Sequence, residues 1–141
     1  MVAMNTLRAL SLRQPWAELI LSGKKTIETR TWNTSYRGTF WIHASIASNP
    51  DHMKEFGFGS QDFNRGAIVG SAELVSVIAY PSLAAFQADA SKHCVRIDHW
   101  EKPLFGYVLS NVKRIEPIPC KGMLNFFPLP DSVVTELQKM N

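Results

Sequence analysis

The sequence predicts an α+β fold, a small curved or closed sheet with helices on its flanks, and three observations carry that expectation. Strand-like segments outnumber helical ones, and several follow one another within a few residues, which favours pairing in one sheet. At 141 residues, the chain has room for one domain but not two. No internal repeat, low-complexity tract or linker divides it, so residues 1–141 read as a single domain.

The elements follow in order. Leu7 to Leu12 reads as a short strand. A helix is expected from Pro15 to Ser22: proline suits the first turn, Trp16, Leu19 and Ile20 share an apolar face, and Gly23 supplies the stop. Thr26 to Trp32 is rich in threonine and reads as a strand, with Thr26, Glu28, Arg30 and Trp32 on one face and Ile27, Thr29 and Thr31 on the other. Thr39 to Ala44 is a further strand, entered through Tyr36-Arg37-Gly38. Pro50 to Phe56 is a short helix, followed by a glycine-bearing loop from Gly57 to Gly66. Ala67 to Tyr80 is long enough for a central strand, loosened at its start by Gly66 and Gly70. Ser82 to Ala90 reads as helix, Ser91 to Lys102 as loop and Phe105 to Ile115 as strand. Asp131 is placed as the cap of a last amphipathic helix from Ser132 to Met140.

Composition excludes several classes. With 45% hydrophobic and 19% charged residues the chain is neither disordered nor fibrous. It contains no run of about 18 apolar residues, so no membrane-spanning helix is expected. Met1 to Arg8 lacks an apolar signal core, and two cysteines, Cys94 and Cys120, are too few for a disulfide scaffold; both fit a cytoplasmic protein. His93, Cys94 and His99 lack a matching second ligand pair, so neither metal nor cofactor is expected. No phosphate-cradling glycine loop and no nucleophile elbow is present.

The formal charge of +3 is unevenly spread. Residues 1–40 carry Arg8, Arg13, Lys24, Lys25, Arg30 and Arg37 against Glu18 and Glu28, a net of +4, while the rest of the chain nets −1. That local excess suggests a site for an anion or a phosphate backbone, the alternative being scatter over a solvated surface. Within it, the row from Thr26 to Trp32 spans about 20 Å. A carboxylate between cations orients them, and the planar fork of Arg30 suits phosphate or carboxylate. Trp32, Tyr36 and Trp41 offer faces on which a base can stack, and His43 can move a proton near neutral pH. Each residue also has a structural reading: Glu28 with Arg30 as a surface ion pair, Trp16 and Trp41 as core, His43 as a hydrogen-bonded core histidine, Lys121 as a solvated turn.

The run from Leu10 to Ser45, LSLRQPWAELILSGKKTIETRTWNTSYRGTFWIHAS, resembles the start of ASCH domains, closest to the activating signal cointegrator-type branch. Its specific blocks are Gln14-Pro15-Trp16-Ala17 and Lys25-Thr26-x-Glu28-x-Arg30 at fixed separation. GAIVGSAELVSVIAY (Gly66 to Tyr80), FGYVLSNVKRI (Phe105 to Ile115) and PIPCKG (Pro117 to Gly122) extend the likeness from about Leu7 to Leu129. The resemblance implies a PUA-like small β-barrel with a basic cleft beside the first helix. The residues expected there are Gln14, Trp16, Lys24, Lys25, Thr26, Glu28, Arg30, Trp32, Tyr36, Arg37 and Lys121. It also implies binding of RNA or another nucleic acid, and RNA or a single strand is the leading expectation.

Two alternatives accompany that expectation. A bacterial branch hydrolyses acetylated cytidine with a lysine, a threonine and a glutamate. Its lysine matches Lys25, but its threonine falls at Glu28, so the nucleophile is missing here, and Glu73 is not assumed to replace the glutamate. A hydrolase acting on a modified nucleoside, or a ribonuclease, would use Lys25, Glu28 and His43 as catalytic groups. A protein-interaction module ranks last, because no second domain is expected, and no protein partner is named.

Overall fold

The computed structural model describes residues 7–100 and 102–140; the reading of the first six residues as lacking a signal core lies outside them. In chain order the elements are β1 (Arg8–Leu12), α1 (Trp16–Leu21), β2 (Ile27–Arg30), β3 (Gly38–Ala44), α2 (Pro50–Glu55), β4 (Ala67–Ala79), α3 (Leu83–Ala88), α4 (Ala90–His93), β5 (Phe105–Pro119), β6 (Phe126–Pro128) and α5 (Asp131–Lys139). The strands form one sheet in the order β2-β5-β4-β3-β1-β6. All neighbours are antiparallel except β1 with β3, where Ser11 lies beside His43.

Two long strands, β4 and β5, give the sheet its curl. Their register shifts three times, after Ile68, Ser71 and Leu74, and each irregularity adds bend and twist. At one of them the strands approach so closely that a Cβ on Gly70 would sit 2.4 Å from the Lys113 carbonyl oxygen and 2.5 Å from a methyl of Leu21. Only glycine fits there.

Both faces of β1 are buried, as its alternation requires. Leu10 and Leu12 enter a core inside the curl with Ala17, Ile20, Phe40, Ile42 and Tyr107. Leu7 and Ala9 enter a second core with Ile68, Ile118, Phe127, Val133 and Leu137, covered by α5. Fully burying a leucine or phenylalanine contributes about 1.5–3 kcal/mol, so each core can hold its helix to the sheet. The first helix ends where Gly23, at φ +85°, takes the left-handed conformation expected of its stop.

Four expectations need correction. Ser91 to Lys102 is not all loop, because α4 occupies Ala90–His93. The strand from Phe105 runs on to Pro119, held by pairing with β4 through Ala67. β6 has no counterpart among the expected strands; its three residues gain their strand form from pairing with β1. Pro130, not Asp131, is the cap of α5, and Asp131 lies in the first turn, where its charge complements the helix dipole. Among the described residues, no helix is long and apolar enough to cross a membrane.

Candidate functional site

Because β2 ends the sheet on one side and β1-β6 on the other, the curl brings the two edges face to face without a hydrogen-bonded ladder between them. Side chains span the gap instead. Arg30 Nη2, at the end of β2, donates to the Ser11 carbonyl of β1 at 2.9 Å. Trp32 sets its ring edge-on to Phe126 of β6 at 6.0 Å and to Tyr107 at 5.6 Å. Tyr107 Oη donates to the Trp32 carbonyl at 2.7 Å. The unclosed seam is a cleft of about 390 Å³ lined by Ser11, Leu12, Arg13, Trp16, Glu28, Thr29, Arg30, Thr31, Trp32 and Leu104. That volume falls within the roughly 300–1,000 Å³ of small-molecule sites.

Glu28 organises the charges. Its Oε1 lies 3.5 Å from Lys25 Nζ, and its Oε2 accepts from Arg30 Nε at 3.1 Å with Nη2 at 3.0 Å. Lys25 is 1% exposed, donates to the His93 carbonyl, and holds its ammonium 5.0 Å from the Trp16 ring. Burial pushes the Lys25 ammonium below the ordinary lysine range, and the Glu28 charge opposes that shift. Arg30 is thus fixed through Nε and Nη2, and among the described residues nothing accepts from its Nη1. Its guanidinium lies 6.0 Å from the centre of the Trp32 ring. Arg13, exposed at the rim, adds a further positive charge. Thr29 Oγ1, buried in the wall, has no hydrogen-bond partner among the described residues.

The expected residues therefore divide. Trp16, Glu28, Arg30 and Trp32 meet in the seam, with Lys25 behind Glu28. The Glu28–Arg30 pair is largely buried rather than a surface pair. Gln14 is not in the cleft: it is buried, its amide donating to the Asn64 carbonyl and accepting from the Glu18 N–H, beside a different hollow. Thr26 is exposed, its backbone tied to Lys92 and Leu109, and Lys24 is exposed with its ammonium 5.1 Å from the Phe56 ring; neither lines the seam. Tyr36 stacks on Phe126 of β6 at 4.9 Å, and Arg37 donates to the carbonyls of Thr34 and Tyr36 in its own loop; neither lines the seam. Trp41 packs against the second core.

His43 and Lys121 lie together, but in a second pocket of about 670 Å³ on the other side of Ser11. His43 is buried, as the hydrogen-bonded reading required, with Nε2 at 2.7 Å from the Cys120 carbonyl and Nδ1 at 2.9 Å from Ser11 Oγ. A carbonyl only accepts, so Nε2 carries the proton and the Ser11 hydroxyl donates to Nδ1. Burial lowers the His43 pKa from the ordinary histidine value. Sequence reasoning counts Arg13 only as a charge and passes over Ser11 and Leu104. The position of Arg13 just before the Gln14-Pro15-Trp16 block is its one signal.

A curled, six-stranded PUA-like half-barrel with a charged seam beside its first helix is the class that fold and site define. The ASCH domain family model matches residues 10–119, and the chain belongs to that family. It is similar to crystal structures of ASCH from Zymomonas mobilis, with a TM-score of 0.68 at 15% identity over 94% of each chain. For a serine-to-alanine variant of that protein the TM-score is 0.70 at 15% identity over 99% of each chain, a likeness of fold alone. Among curated proteins it is 29% identical to the human Activating signal cointegrator 1 over 82 residues, half of this chain and 14% of that protein. It is 50% identical to the mouse protein over 36 residues, 26% of this chain and 6% of that one. The chain therefore spans only a small part of the cointegrators' length.

Proposed function

We propose that this ASCH domain binds single-stranded nucleic acid, RNA in the first instance, through the seam cleft. One observation carries the reading: a guanidinium locked by Glu28 and the Ser11 carbonyl, with Nη1 unpaired among the described residues, lines a cleft that Trp16 and Trp32 also line. A fixed fork suits a phosphate oxygen or a base edge, and indole faces suit stacking. With Arg13 at the rim, the cleft holds more positive than negative charge, which favours an anionic ligand. Binding is favoured over hydrolysis because Glu28 already shares its oxygens with two cations, leaving it a weak general base.

The test is fluorescence anisotropy with a short labelled single-stranded RNA between about 50 and 200 mM salt, where the logarithmic slope should be about −0.7 per phosphate engaged. Arg13→Ala, at an exposed position, should flatten that slope, and Arg30→Lys should weaken binding by about tenfold, since it keeps charge but loses the fork. Absent or salt-independent binding, or an Arg30→Lys variant that binds like the parent, overturns the reading. Incubation with acetylcytidine distinguishes the hydrolytic alternative, which requires turnover lost in Glu28→Gln.

A further inference from the structure

The described chain exposes five large apolar side chains, and three of them gather at one place: Ile46 at 77%, Met123 at 59% and Leu124 at 89% exposure all line the pocket above His43. Scattered singly they would need no explanation, but a cluster around a concavity marks a surface that gains by being covered. The floor makes no polar demand. Ser11 donates to His43 Nδ1, and Nε2 donates to the Cys120 carbonyl, so the imidazole has no free nitrogen. Gly122 closes over that pair so tightly that a Cβ there would lie 2.7 Å from His43 Cε1. The exposed Lys121 is the one cation lining this pocket, and among the described residues no carboxylate pairs with it.

What covers the pocket follows from its neighbour. Ser11 lines both this pocket and the seam cleft, its carbonyl bonded to Arg30 on one side and its hydroxyl to His43 on the other. The two hollows are thus separated by a single residue of β1. We infer that the pocket above His43 is a second nucleotide subsite, which takes the base adjoining the one held in the seam and places a backbone phosphate at Lys121. This rests on the reading of the seam as a nucleic-acid site. A base ring fits apolar walls with a satisfied floor, and the Lys121 ammonium supplies the charge that a bare apolar partner would not need. Because the walls are the aliphatic side chains of Ile46, Met123 and Leu124, which make van der Waals contacts rather than base-edge hydrogen bonds, this subsite is tolerant of base identity.

The experiment measures binding of labelled oligouridylates of one, two, three and six nucleotides to the full chain, its Lys121→Ala variant and its Met123→Ser/Leu124→Ser variant. These exposed substitutions leave the cores intact. The parent should gain at least tenfold in affinity from the mononucleotide to the trinucleotide. Both variants should lose most of that gain while binding the mononucleotide as the parent does, and Lys121→Ala should lower the salt slope by about 0.7. If the variants bind the longer oligomers as well as the parent, the second subsite is refuted while the seam reading stands. If the parent binds no oligomer, or Arg30→Lys binds all of them undiminished, the seam reading fails and this inference with it. A parent that sediments as a dimer and becomes monomeric in Met123→Ser/Leu124→Ser would also refute it, by assigning the apolar rim to a second copy.

Discussion

Replacing Glu28 with glutamine keeps the shape of the seam and removes the charge that two cations share. Lys25, 1% exposed, is then left with the His93 carbonyl and the Trp16 face alone. Breaking a buried ion pair by removing one partner costs about 3–5 kcal/mol. Two features place this site at the low end. The Lys25 ammonium can lose its proton, since burial already lowers its pKa. The Arg30 side chain is 20% exposed, so water takes up part of its charge. A cost of about 3 kcal/mol is expected for Glu28→Gln. Lys25→Met is different in kind: it leaves Glu28 held by Arg30 and forfeits chiefly the hydrogen bond to His93, about 1–2 kcal/mol. With both substitutions no uncompensated lysine remains, so the pair should cost less than the two singly by about 1–2 kcal/mol, above the roughly 0.5 kcal/mol limit of additive sites.

Urea unfolding followed by tryptophan fluorescence reads these differences. With an m-value of about 2 kcal/mol/M, Glu28→Gln should lower the midpoint by about 1.5 M. A Glu28→Gln variant within about 0.5 kcal/mol of the parent, or a strictly additive double variant, would refute the view that Glu28 holds the two cations together.

Acidification should destabilise the fold before its carboxylates titrate. His43 and His93 are both buried, and burial lowers both pKa values, so the native state holds fewer protons than the unfolded chain. Their stability is therefore fully present above the unfolded value of about 6.5 and falls as the pH drops below it, by up to about 1.4 kcal/mol per pH unit for each proton. Urea midpoints measured from pH 8 to 5 should be level and then fall; a midpoint rising as the pH drops from about 6.5 to 5 contradicts the assignment. Gly70→Ala should lower the thermal midpoint strongly, because its Cβ meets the Lys113 backbone oxygen rather than a side chain that can turn away. Overpacking of this kind costs about 1–3 kcal/mol or more, and a calorimetric midpoint within a degree of the parent would show that the strands can part there.

The strand alternation from Thr26 to Trp32 is enough to place Glu28 and Arg30 on one face, because a period of two is local physics. Where that face looks is not local. The Ser11 carbonyl that fixes Arg30 lies 19 residues away on the opposite edge of the sheet, and only the curl joins them. Lys24 and Lys25 are equivalent as letters, yet one is exposed and the other is 1% exposed, a choice made by the contact of Lys25 with Glu28 and α4. Tyr36 offers a face for stacking, but Phe126 takes it, from a three-residue strand too short to show any period. His43 and Lys121 group with the Lys25 cluster in the sequence reading, and Ser11 is the wall that separates them from it.

The seam also makes stability and binding depend on one another with a definite sign. Arg30 uses Nε to hold Glu28 and Nη2 to reach the opposite edge at Ser11, and keeps Nη1 for a ligand, so an anion can add to the existing bonds without displacing them. Ligand binding should then reinforce the closure: RNA at about 100 times its dissociation constant should raise unfolding stability by about 2.7 kcal/mol. Were the anion instead to compete with Glu28 for the same nitrogens, each ligand contact would break a Glu28–Arg30 contact, and the measured affinity would carry that cost. Glu28→Gln would then bind RNA more tightly than the parent, whereas if Glu28 holds the guanidinium in place for the ligand, the variant binds more weakly. Anisotropy with the parent and Glu28→Gln separates the two.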